Sequence, residues 1–157
     1  MAKLWLTVGI LAVAAPLVTC SGPQTDLEKQ LNQNEQKWAS QKIRDYSYTL
    51  RIGCFCPPEI TSPVLLEVRG GTTKSVSYVS DGRQATNELF RKADTIEELF
   101  SVIRESIDQK VDKLTVEYDP ASAYPTQISI DPIETAIDEE GLIRSRISGA
   151  SSDQRRQ

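Results

Sequence analysis

The run Thr95-Ile96-Glu97-Glu98-Leu99-Phe100-Ser101-Val102-Ile103-Arg104-Glu105-Ser106-Ile107 decides the fold. Thr95 and Glu98 have the spacing of a capping box, so a helix starts at Ile96. Ile96, Leu99, Phe100, Ile103 and Ile107 fall at i, i+3, i+4, i+7 and i+11, which makes one continuous apolar face. Burying those five side chains at about 1.5–3 kcal/mol each would be a main source of stability. Such a face needs a surface to lie on, and the flanking sequence changes to a period of two.

Upstream, Tyr46, Tyr48, Leu50 and Ile52 alternate with Ser47, Thr49 and Arg51. This predicts a half-buried strand with its even-numbered residues inward, ended by Pro57-Pro58. Val64, Leu66 and Val68 form a second strand, Gly70-Gly71 a two-residue hairpin, and Val76 and Tyr78 a third strand. Asp81-Gly82 is the next turn. Downstream, Leu114, Val116 and Tyr118 alternate with Thr115 and Glu117. Asp119-Pro120 opens a turn that closes at Tyr124-Pro125. Ile128 and Ile130 continue in a strand that stops at Asp131-Pro132. Ile143, Ser145 and Ile147 make a last, weaker strand. Residues 26 to about 43 are rich in helix formers, but their stripe of Leu27, Leu31 and Trp38 is thin, which places that helix at a rim. The expected fold class is α+β: an antiparallel sheet of about six strands, one long amphipathic helix on one face, and an N-terminal helix at its rim.

The length of 157 residues suits one domain. Eighteen basic and 22 acidic residues give a net charge of −4, the wrong sign for binding nucleic acid. The absence of His removes Ser-His-Asp and Cys-His catalysis and His-containing metal sites.

The amino terminus reads as an address. Lys3 precedes the uncharged run Leu4 to Val18, too short for a membrane span and well suited to a signal-peptide core. Leu17-Val18-Thr19-Cys20 resembles the lipobox of bacterial lipoproteins, in which the Cys becomes the acylated first residue of the mature chain. Ordinary secretory cleavage after Ala12-Val13-Ala14 is the rival. The expected boundaries are a leader over 1–19, a lipidated Cys20 with a polar tether over 20–25, one domain over 26–148 and a polar tail over 149–157. Two or more acyl chains hold firmly where one does not. Ser21 after the Cys resembles the pattern of outer-membrane delivery in Gram-negative envelopes.

The other cysteines, Cys54 and Cys56, flank Phe55 at the end of the first strand. In a fully extended strand their Cα atoms would lie about 6.6–6.8 Å apart, the edge of disulfide reach, and a bend at Gly53 or the proline pair would close them. An exported chain favours oxidation. A loop this small adds only roughly 1.6 kcal/mol. Three readings stay open: a structural disulfide, a thiol–disulfide couple, and free or metal-bound thiols.

A resemblance covers roughly residues 38 to 147. Tyr46-Ser47-Tyr48-Thr49-Leu50 leads to Cys54-Phe55-Cys56-Pro57, then Thr95-Ile96-Glu97-Glu98-Leu99-Phe100, Tyr118-Asp119-Pro120, Tyr124-Pro125-Thr126 and Ile130-Asp131-Pro132 with Asp138-Glu139. In order and spacing these resemble a family of bacterial envelope lipoproteins catalogued as domain of unknown function 6174. The family tends to carry Gly where this chain has Ala123. The resemblance implies a fold and an extracytoplasmic address, and it brings no catalytic residues and no cofactor.

Asp119, Asp131, Asp138 and Glu139, with Glu140, are expected to crowd one end of the sheet, where calcium binding or paired-carboxylate hydrolysis would be the sharp readings and ordinary turns the plain one. The sequence predicts no catalytic set, metal or cofactor. The expected function is an exported protein, lipid-anchored to a bacterial cell envelope through Cys20, serving as a non-enzymatic binding or structural module for an unidentified envelope protein or ligand. The alternative is an envelope thiol–disulfide protein using Cys54 and Cys56.

Overall fold

The computed structural model describes residues 23–131 and 141–151. Ten elements follow one another: α1 (Pro23–Ser40), β1 (Asp45–Gly53), α2 (Pro58–Thr61), β2 (Val64–Arg69), β3 (Thr72–Tyr78), a 3-10 helix (Glu88–Ala93), α3 (Ile96–Asp108), β4 (Lys113–Tyr118), β5 (Pro125–Asp131) and β6 (Gly141–Ser151). The strands form one antiparallel six-stranded sheet in the order β3-β2-β1-β6-β5-β4. The expected α+β architecture is therefore the one the chain adopts.

Two meanders, β1-β2-β3 and β4-β5-β6, build the sheet, and α3 joins one edge strand, β3, to the other, β4. The meanders meet where β6 pairs with β1, from Asp45 opposite Ser151 to Gly53 opposite Leu142. The last strand was expected to be weak and to end before residue 149. It is instead an eleven-residue central strand. Its sequence misleads because Arg144, Arg146 and Ser145 dilute the apolar signal, whereas its stability comes from pairing on both edges.

The helix-facing side is the core. Tyr46, Tyr48 and Leu50 of β1 and Val64, Leu66 and Val68 of β2 are buried there. So are Ile96, Leu99, Phe100, Ile103 and Ile107 of α3, the whole expected stripe. The Thr95 hydroxyl accepts a hydrogen bond from Glu98 N at 3.1 Å, which caps the helix as the sequence implied. Gly70 and Gly71 both have positive φ, 63° and 75°, as a two-residue turn between paired strands requires.

α1 starts three residues before the expected boundary, with Pro23 at its head, where the missing N–H costs nothing. It stops at Ser40 rather than near Ile43, because Lys42 turns left-handed at φ 53°. Its thin stripe is fully used: Leu31 and Trp38 are buried as α1 packs along α3. The short α2 and the 3-10 helix have no counterpart in the sequence reading. Asn87 caps the 3-10 helix by accepting from Leu89 N, and only Phe90 and Ala93 of its six residues are buried, too few to make a periodic signal.

Candidate functional site

Three places carry the chemistry singled out in the sequence or visible in the fold. The first is the end of β1. The strand stops at Gly53 and the chain bends through Cys54 and Phe55. That bend brings the Cα atoms of Cys54 and Cys56 to 5.2 Å, and the two residues are joined as a disulfide. Both cysteines are half-buried, while Phe55 between them is 97% exposed. Pro58 then opens α2, so the apolar ring is displayed on a locally constrained segment.

The second is the expected acidic cluster. Asp131 pairs with Lys113 at the start of β4, whereas Asp119 follows the other end of that strand. Six residue steps of β5 separate the two ends, roughly 20 Å at about 3.3 Å per residue. Asp119 and Asp131 thus do not converge, which corrects the expectation. An antiparallel hairpin puts its turn and its open end a strand's length apart, and Asp119 marks the turn while Asp131 marks the open end. Asp138, Glu139 and Glu140 lie outside the described residues, as does Cys20. Asp119 has a turn-building role: its Oδ1 accepts from Ala121 N, Ser122 N and Ser122 Oγ. The Ser122 hydrogen bonds hold its carboxyl below the usual carboxylate range. The same turn places Ala123 at φ 65°, in the left-handed region that favours glycine. Among the described residues, no group of three or more His, Cys, Asp or Glu is placed to hold a metal ion.

The third is the face of the sheet opposite the helices, which sequence reasoning passed over. The odd-numbered residues of β1 point there, and so do Arg144 and Arg146 of β6, which stand opposite Arg51 and Thr49. A groove of about 530 Å³ runs across it, from Pro63 and Arg51 over Arg144 and Arg146 to Glu117 and Asp119. Arg51 and Arg144 are direct cross-strand partners, and Arg146 stands opposite Thr49. Gln127 lies between Arg144 and Glu117 in the same row and accepts from Arg144 Nε at 3.1 Å. The available signal was the alternation itself: Arg51, Arg144 and Arg146 all occupy outward positions.

A smaller groove of about 350 Å³ lies at the outer edge of β3, lined by Thr73, Lys74, Asn87, Arg91 and Asp94 among others. Burial raises the Asp94 carboxyl, against the pull of Arg91. The buried aromatic cluster behind the sheet is structural. The Glu97 carboxylate accepts from Trp38 Nε1 at 2.9 Å and from Tyr46 Oη at 3.2 Å, tying α1, β1 and α3 together. Tyr46 Oη also accepts from Ile96 N at 3.0 Å, and Tyr48 Oη donates to Ala93 O.

No helix among the described residues is long and apolar enough to cross a membrane. A family model described as a family of unknown function (DUF6174) matches residues 30–147, more than half of the chain. No curated protein and no solved structure matches it.

Proposed function

We propose that this chain, which belongs to that family of unknown function, is an exported protein acylated at Cys20 and held at a bacterial cell envelope, where its single domain is a non-enzymatic binding module. The observation that carries the binding role is the uncovered polar face of the sheet, with its groove of about 530 Å³. Volumes of about 300–1,000 Å³ are those of small-molecule sites. The anchoring part rests on the leader Leu4 to Val18 and on Leu17-Val18-Thr19-Cys20. With α1 starting at Pro23, only Ser21 and Gly22 separate Cys20 from the helix, so the domain would sit within about 10 Å of its anchor. Metabolic labelling with radioactive palmitate tests it. Label on the wild-type chain that disappears in Cys20→Ala is the expected result. Label that persists in that variant overturns acylation at Cys20.

A second reading is favoured by one observation, the Cys54–Cys56 disulfide beside the exposed Phe55. In this reading the pair exchanges with a thiol of a client protein. A reduction potential below about −300 mV, the range of inert structural disulfides, would exclude it.

A further inference from the structure

We propose that the groove on the open face is a binding site for a small, soluble phosphate ester, held by Arg51, Arg144 and Arg146. This rests on the reading of the open face as the working surface, and it is independent of Cys20. Directly opposed side chains in an antiparallel sheet stand about 4.5–5.5 Å apart at Cβ. Arg51 and Arg144 are such a pair. Arg146 lies two residues from Arg144 on the same side of β6, about 6.8 Å away. Three guanidinium groups therefore rise from a triangle small enough to converge on one anion.

Among the described residues, no ion pair offsets this arrangement. Like charges directly opposite one another destabilise a sheet, and a guanidinium cannot relieve the repulsion by losing its proton. The ion pairs among the described residues are Arg83–Asp81, Arg91–Glu88 and Arg104–Glu35, and none of them involves Arg51, Arg144 or Arg146. Arg144 is oriented through Nε by Gln127, which leaves its terminal nitrogens for a ligand. Such an arrangement presents paired donors to an anion of fixed shape. A phosphate monoester brings three strong acceptor oxygens and a charge of about −1.5 to −2.

The rest of the groove narrows the ligand class. Thr49, Thr126 and Gln127 contribute neutral polar groups, and Glu117 and Asp119 close the β4 side with negative charge. A long polyanion would run onto those carboxylates. A single phosphate on a neutral or cationic organic body would not.

The full chain in neutral detergent at low salt is titrated with inorganic phosphate and with glycerol 3-phosphate by calorimetry, and in parallel with succinate. The expected result is saturable binding of one glycerol 3-phosphate, weakened at least tenfold in Arg51→Gln and in Arg144→Gln and unchanged in Arg83→Gln. Thermal melting of each variant shows that it is folded. Saturable succinate binding at these arginines with no phosphate binding overturns the phosphate assignment and leaves the open-face reading standing. Absence of saturable binding by any probe overturns the site. Equal weakening in Arg83→Gln marks diffuse surface charge and also overturns it.

Discussion

The two faces of this sheet are built from alternate residues of the same strands and obey different rules. On β1, Tyr46, Tyr48 and Leu50 are buried under α1 and α3, while Thr49 is half-buried and Arg51 exposed on the other side. On β6, Ser145 is buried and its neighbours Arg144 and Arg146 are exposed. The covered face is constrained by packing, because close-packed side chains feel the loss of even one methylene. On the open face, Arg51 and Arg144 are opposed like charges, and none of the ion pairs among the described residues involves either. The difference teaches where to look for each property: stability under the helices, recognition on the bare side.

The largest expected effect tests that division directly. Phe100 is buried on α3 and stacks on Tyr118 with ring centroids 6.4 Å apart. Phe100→Ala is expected to cost about 3–5 kcal/mol, read by denaturant unfolding. Thr49→Ala on the open face is expected to cost about 1 kcal/mol or less, the span of strand propensities. Comparable losses from the two variants would break the comparison.

Next come the polar groups inside the covered face. Tyr46→Phe removes the acceptor of Ile96 N and the donor to Glu97, and leaves a buried N–H unpaired. The expected loss is about 1–3 kcal/mol. The same tyrosines set the alkaline limit. Burial raises the phenols of Tyr46 and Tyr48 well above 10.0 and pushes Tyr118 up to about 12. Their folded forms hold protons that the unfolded chain releases, so their contribution to stability is full below about pH 10 and is lost as pH rises through the raised values. Tyr46→Phe is expected to make the alkaline limb of a pH–stability profile shallower. An unchanged limb would show that the phenol is not protected by burial.

How much of this was legible in sequence follows the same division. The α3 stripe, the inward residues of β1 and β2, and the Gly70-Gly71 hairpin were readable because burial selects side chains with a strict period. The centrality of β6 was not, since backbone pairing leaves no mark on side-chain chemistry. The separation of Asp119 from Asp131 was readable too, because an antiparallel strand that leaves the turn at Asp119 reaches Asp131 only at its far end. Ala123 illustrates the limit from the other side: its φ of 65° explains why glycine suits that turn, yet Asp119 Oδ1 pins the turn through three hydrogen bonds without one. The arginine triangle lay in plain view, but only the register that sets Arg51 opposite Arg144 brings it together.

The smallest expected effect is the sharpest. A surface arginine usually contributes through its stem or an ion pair, and removing it is neutral or mildly destabilising. Arg51 faces Arg144 across the strands, and no carboxylate among the described residues forms an ion pair with either. Arg51→Thr removes one of two opposed charges and installs a β-branched residue suited to a strand. Unfolding at low salt is therefore expected to show a gain of about 0.2–1 kcal/mol. Because the repulsion is between exposed charges, the gain should shrink as ionic strength approaches 1 M, where the Debye length is about 3 Å. Added phosphate should reverse the order, stabilising the wild type above the variant, since a ligand bound only to the folded state raises its stability. A loss of stability in Arg51→Thr at low salt would mean that the arginine supports the fold, and the two faces would no longer divide stability from recognition.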